Sequence, residues 1–98
     1  MFRVLRGWLR SLYVDAAYDC GAHLLVVTDG ETDLIPYSNV SRIQASYMSP
    51  MHVKIIFKSR SKFGREIWLH PNVPFPEYSG FVKALRQRVV EEEIRRHL

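Results

Sequence analysis

At 98 residues the chain has room for one domain with a single core and not for two, and 47% hydrophobic with 24% charged residues is the composition expected of a soluble globular protein. The longest purely apolar run, Leu24 to Val27, falls far short of the roughly 20 residues that span a bilayer, no cleavable export signal is expected at the N-terminus, and the lone Cys20 excludes an internal disulfide framework and fits a reducing compartment. The net charge of +4 comes in blocks, +3 over residues 1–14, −5 over 15–33, +6 over 34–65 and zero over 66–98; such polarity can steer an anionic partner or simply form a solvated surface.

Residues 1–10 read as an amphipathic segment. Met1, Val4, Leu5, Trp8 and Leu9, continued by Leu12, fall at helical spacing, and Arg3, Arg6, Gly7 and Arg10 take the remaining arc. The segment can cover an open end of the core. Alternatively it lies on an anionic membrane surface, with Arg3, Arg6, Trp8 and Arg10 as the candidate contacts.

Antiparallel strands are expected over 11–71. From Ser11 the period changes to two: Leu12, Val14, Ala16 and Tyr18 alternate with Tyr13, Asp15 and Ala17, and Asp19-Cys20-Gly21 turns the chain into a second strand, Ala22 to Thr28. Asp29-Gly30 is a strong turn signal leading to a strand over 32–36, and Pro36, which cannot donate to a ladder, marks an edge or an end. Residues 37–41 read as a turn whose Val40 plugs the core, followed by a strand over 42–47 with Ile43, Ala45 and Tyr47 on one face.

The next two strands form a hairpin, His52 to Lys58 and Arg65 to His70, joined by a basic loop. With Lys58 opposite Glu66, Ile56 opposite Trp68 and Lys54 opposite His70, one face collects Val53, Ile55, Phe57, Ile67 and Leu69 as a core face, while the other carries favourable charged and aromatic pairs. Asn72 to Pro76 is a stiff crossover, and the helix expected over 76–96 has Tyr78, Phe81, Val82, Leu85 and Val89 as its core stripe. Beyond that, Val90, Ile94 and Leu98 drift off the stripe. Three i,i+4 pairs, Arg88 to Glu92, Glu91 to Arg95 and Glu92 to Arg96, suggest that the last two turns project past the sheet.

Six or so short antiparallel strands closed by one C-terminal helix is the order of a pleckstrin-homology-like barrel. The stretches Ile35-Pro36-Tyr37-Ser38-Asn39-Val40-Ser41-Arg42-Ile43 and Lys62 to Pro71, in that order and spacing, resemble the small bacterial proteins with this fold over roughly residues 11 to 95. The resemblance implies a single mainly β domain, a barrel of about six or seven strands or a strongly bent sheet, with Phe81 and Leu85 plugging one end. It also implies a binding module, since members of that superfold bind phosphoinositides, peptides or their own copies. The paired basic residues that phosphoinositide binders place at the first hairpin are absent from Tyr18-Asp19-Cys20-Gly21.

Enzymatic chemistry has no signature here. His23, His52, His70 and His97 are scattered without metal-ligand spacing, Cys20 sits beside Asp19, which disfavours a thiolate, and Glu91, Glu92 and Glu93 radiate around a helix. No catalytic, metal or cofactor residues are assigned. The leading expectation is protein–protein contact or self-association, with Ile56, Trp68, Val90, Ile94 and Leu98 as candidate contacts. Peripheral attachment to anionic membrane is the alternative, a cytoplasmic protein at the inner face using residues 1–10 and an anion-binding loop of Lys58, Arg60, Lys62 and Arg65. A third class, single-stranded nucleic-acid binding, would use Arg42, Lys54 and the same basic loop with Trp68 or Phe63, but offers too few aromatic stacking platforms.

Overall fold

The computed structural model describes residues 13–48, 52–70 and 75–97. The amphipathic segment with Arg3, Arg6, Trp8 and Arg10, and the candidate contact Leu98, lie outside the described residues. The chain is mainly β with one C-terminal helix: β1 (Tyr13–Val14), β2 (Ala16–Asp19), β3 (His23–Thr28), β4 (Glu31–Pro36), a 3-10 turn (Tyr37–Asn39), β5 (Val40–Ser46), β6 (His52–Ser61), β7 (Gly64–Leu69) and α1 (Phe75–Arg96). No helix among the described residues is long and apolar enough to cross a membrane.

The strands make two sheets, one ordered β1-β7-β6-β5 and the other β2-β3-β4. They are joined at Asp15, where the first strand changes sheets: β1 pairs in parallel with β7, and β2 pairs antiparallel with β3. The kink is held on both sides of the peptide. The Asp15 N–H donates to the Val27 carbonyl at 2.9 Å, and the Asp15 carboxylate accepts the Asp29 N–H at 2.9 Å. This extra residue reverses the alternation expected for the first strand, so Val14 is buried and Ala17, not Ala16 or Tyr18, continues the core side. Among the described residues β4 and β5 do not pair with one another, so the sheets do not close into a barrel.

Between the sheets lies one core. Leu24, Val26 and Ile35 enter from the three-stranded sheet; Val40, Ile43, Val53, Ile55, Phe57, Ile67 and Leu69 from the four-stranded one; Tyr78, Val82 and Leu85 from α1. Full burial of each large aliphatic side chain is worth about 1.5–3 kcal/mol. Of the expected helix plugs Leu85 is buried, whereas Phe81 is only partly so, and Tyr78 of the same stripe is wholly enclosed. The Tyr78 hydroxyl lies 2.7 Å from the Ser46 carbonyl and 2.8 Å from that of His52, fastening α1 to the end of β5 and the start of β6. Tyr47 meets its ring edge-on at 5.3 Å.

The β6–β7 hairpin has the expected faces in a different register. Val53 pairs with Leu69, Lys54 with Trp68, Ile55 with Ile67 and Ile56 with Glu66, two residues away from the expected alignment. The reason is the turn. β6 runs on to Ser61, Lys62-Phe63 form a tight reversal, and the register shift between Ile56 and Ser61 absorbs the surplus residues. The Ser61 hydroxyl donates to the Gly64 carbonyl at 2.7 Å and accepts the Phe63 N–H at 3.2 Å, stabilising that reversal.

At the β3–β4 turn both central residues have positive φ, Asp29 at 51° and Gly30 at 77°, as a primed hairpin turn requires. Gly30→Ala has open space for its methyl but the wrong backbone conformation. It is expected to cost about 1 kcal/mol, read as a lower urea midpoint at unchanged slope; an unaltered midpoint would show that the turn tolerates a side chain there.

Candidate functional site

Alternation gives each antiparallel strand two faces, and a sheet covered on one side normally sends polar residues outward. The three-stranded sheet does the reverse. Its register lines up Tyr18, Leu25 and Leu34 across β2, β3 and β4, with Ala16, Val27 and Thr32 on one side of that row and His23 and Pro36 on the other. No aspartate, glutamate, lysine or arginine stands on this outer face, and Tyr18 (55%) and Leu34 (54%) are the most exposed of its large side chains. The acids occupy the opposite parity, Asp19 facing Leu24 across the ladder, and Glu31 and Asp33 on the edge strand β4. The Ala16–Val27–Thr32 end of the face is bordered by Asp15, Asp29 and Glu31, all exposed.

Beside the face, a polar latch ties the first hairpin to the helix. The Asp19 carboxylate accepts the Tyr37 hydroxyl at 2.9 Å, the Gly21 N–H at 3.1 Å and the Arg88 Nε–H at 3.1 Å. Burial pushes the Asp19 carboxyl upward, but the bonds from Tyr37, Gly21 and Arg88 and the Arg88 charge together hold it below its ordinary value. Tyr37 is buried, and desolvation followed by its bond to Asp19 pushes its phenol far above the usual range. A groove of about 280 Å³ runs between this turn and α1, lined by Gly21, Ala22, Tyr37, Arg88, Glu91, Glu92 and Arg95. Its charges are mutually engaged: Arg88 reaches Glu91 at 3.8 Å as well as Asp19, and Arg95 reaches Glu92 at 3.3 Å. These helix pairs are spaced i,i+3, unlike the i,i+4 pairs expected, and Arg88 leans toward Asp19.

The four cations expected to form an anion-binding loop stand on two strands and the turn between them, Lys58 and Arg60 in β6, Lys62 in the turn and Arg65 in β7. Lys58 lies in β6 and binds Glu93 at 2.8 Å, holding that carboxyl below its usual range. The Lys62 N–H donates to Asp33 at 2.9 Å, and its ammonium lies 3.9 Å from Glu31. Arg60 and Arg65 make no ion pair among the described residues. Asn39 clamps the intervening Ser59, accepting its N–H at 3.0 Å and its hydroxyl at 2.8 Å while donating to its carbonyl at 3.2 Å. This stretch is a braced strand rather than an open basic loop.

The expected Ile56–Trp68 contact is likewise not an open apolar patch. Ile56 is half-buried opposite Glu66; the half-buried Trp68 stacks on His52 at 4.9 Å, with the Lys54 ammonium 5.5 Å from its ring and 3.2 Å from Glu66. Val90 (56%) and Ile94 (57%) are exposed on α1, although the helix end does not simply project, since Glu93 is held by Lys58 and Arg96 donates to the Ser38 carbonyl at 3.5 Å. Among the described residues no three potential metal ligands cluster, and Cys20 is an exposed free thiol. The residues that sequence reasoning missed are Tyr18, Leu25, Leu34 and the buried Tyr37. Leu24 to Val27, four apolar residues without alternation, carried the signal for the first group, because such a strand is apolar on both faces. No family model matches this chain, and no curated protein compared with it matches either.

Proposed function

We propose that this chain is a non-enzymatic binding or assembly module that works by protein–protein contact through the outer face of β2-β3-β4. The carrying observation is that face: a row of Tyr18, Leu25 and Leu34 without a formal charge, on a small domain whose other apolar residues mostly face its core. Asp15 and Asp29 at one end of the face, where Glu31 already lies 3.9 Å from the Lys62 ammonium, favour a partner with an apolar centre and a lysine- or arginine-bearing rim. The same acids oppose anionic lipid, and with Lys58 and Lys62 tied to carboxylates only Arg60 and Arg65 remain of the membrane-binding basic loop. A pleckstrin-homology-like architecture belongs to the same proposal; its support is the strand order, the first strand bent between two sheets, and the helix packed on the core they share.

The test places a photo-crosslinking residue at Thr32, exposed on the face, in cells producing the chain. A captured protein that binds the purified chain, and binds Leu34→Asp about tenfold or more weakly, supports the proposal; an exposed apolar anchor of this kind carries at least about 1–2 kcal/mol. Crosslinks to lipid alone, or equal binding by the variant, would overturn it.

A further inference from the structure

A surface with an apolar centre and a cationic rim exists on the chain itself. Lys83, Arg86, Gln87, Val90 and Ile94 follow one another at helical spacing on α1, and all are exposed. Tyr78, Val82 and Leu85 hold the other side of the helix against the core, so this stripe points away from it. No acid stands within the stripe. Glu91 and Glu93 flank it, and both are engaged, Glu91 with Gln87 and Arg88 and Glu93 with Lys58. Neither Lys83 nor Arg86 makes an ion pair among the described residues. The stripe is therefore an apolar pair with two cations at one end, the counterpart of an apolar row with Asp15 and Asp29 at one end.

The spacings agree as well. Lys83 precedes Val90 by about 10 Å at helical rise, and Asp29 follows Leu25 by about 13 Å of strand, a difference that a lysine side chain covers. In the other direction Ile94 lies about 6 Å beyond Val90, and His23 about 7 Å from Leu25. A helix laid antiparallel to β3 with Val90 over Leu25 thus brings its cations to the acidic end and Ile94 to the His23–Pro36 end, where no cation repels it.

We infer that the partner of the β2-β3-β4 face is a second copy of this chain, which lays the Val90–Ile94 stripe of α1 on the Tyr18–Leu25–Leu34 row with Lys83 and Arg86 toward Asp15 and Asp29. This rests on the reading of the face as a protein-contact surface. Within one molecule the contact does not form, because stripe and face both turn away from the core that they share. It is heterologous: the helix of one copy meets the sheet of the next, and association continues until a ring closes or an open chain of molecules grows. Three strands of four to six residues offer less than the roughly 800 Å² per partner of a standard interface. The association is accordingly weak, concentration-dependent and sensitive to salt.

Sedimentation of the purified full chain over a concentration series is the test. The parent is expected to associate, and Leu34→Asp and Ile94→Asp, both at exposed positions, are each expected to weaken association about tenfold or more. Mixed together, the two variants are expected to form a one-to-one dimer, because the stripe of Leu34→Asp and the face of Ile94→Asp are both intact. Unchanged circular dichroism verifies their folds. Lys83→Glu, on the exposed helix surface, is expected to weaken association and to blunt its response to salt. Association of Ile94→Asp alone at the parent's strength would overturn the inference in favour of face-to-face pairing, and of Leu34→Asp alone in favour of helix-to-helix pairing. A parent that stays monomeric while the Thr32 crosslinker captures a different protein removes the second copy and leaves the protein-contact reading intact. A monomeric parent that captures no protein removes both.

Discussion

Replacing Tyr78 with alanine is expected to cost about 3–5 kcal/mol. The whole domain is stabilised by only about 5–15 kcal/mol, so an appreciable unfolded fraction is expected at modest urea concentrations. The side chain is fully buried, its ring fills the space between α1 and the four-stranded sheet, and its hydroxyl faces two carbonyls, those of Ser46 and His52. One hydroxyl proton cannot serve both acceptors fully, so the pair shares a forked bond. Tyr78→Phe keeps the ring and removes the proton, and is expected to cost about 1–2 kcal/mol. Urea unfolding followed by far-ultraviolet circular dichroism separates the two contributions. A loss below about 1 kcal/mol for the alanine variant would mean that the site collapses without a cavity, and that Tyr78 is not the fastening between helix and sheet.

Much of this architecture is legible in the residues, and the failures have local causes. In the β6–β7 hairpin the five core residues Val53, Ile55, Phe57, Ile67 and Leu69 follow from alternation alone, because a slip of two residues leaves every side chain on its own face. The register itself depends on the turn, and the sequence Lys58 to Arg65 admits both a long basic loop and a tight Lys62-Phe63 reversal. The first strand fails for the opposite reason. One extra residue at Asp15 inverts parity for all that follows, and its satisfaction by Val27 and Asp29 involves residues twelve and fourteen positions away. Tyr37 stands between Pro36 and Ser38, where polar turn chemistry conceals a buried ring; only its pairing with Asp19, eighteen residues earlier, makes that burial of a hydroxyl inexpensive.

The candidate site was hidden for a related reason. Position in the sequence joins Lys58, Arg60, Lys62 and Arg65 into one cluster, whereas folding sets the Lys58 ammonium against Glu93 and the Lys62 ammonium near Glu31. Conversely, Tyr18, Leu25 and Leu34 are far apart in the chain and become neighbours only through the two ladders of β3. The edge of β5 is protected differently: the Arg86 guanidinium donates to the Ile43 carbonyl at 3.3 Å, blunting strand addition there. The apolar face of the other sheet has no comparable cover among the described residues, and Tyr18 and Leu34 stay exposed on it.

The second large effect is expected at Asp19, and it depends on pH. Asp19→Asn should cost about 1–2 kcal/mol at neutral pH, chiefly because the buried Tyr37 hydroxyl loses a charged acceptor; the half-exposed Arg88 pair adds at most a few tenths to about 1 kcal/mol. Since folding lowers the Asp19 pKa below its ordinary value of 3.8, the carboxylate stabilises the native state above that value, and the contribution is lost as pH falls through the folded-state pKa. The gap between parent and variant should therefore be full at pH 7 and 5 and shrink below about pH 4. Urea unfolding at pH 7, 5 and 3 measures it, and a gap as wide at pH 3 as at pH 7 would remove ionised Asp19 from the account. Tyr37→Phe should cost less in the Asp19→Asn background than in the parent, because the charge-assisted part of their shared bond is already gone. The consequence reaches the apolar face. Asp19 and Tyr18 are adjacent in β2 and point to opposite sides of it, so releasing the latch frees the end of the strand that presents Tyr18. Faster amide hydrogen exchange in β2 than in β6 of the Asp19→Asn variant, at matched global stability, is the expected signature. Equal acceleration in both strands would assign the latch to global stability alone, with no particular role in holding the face.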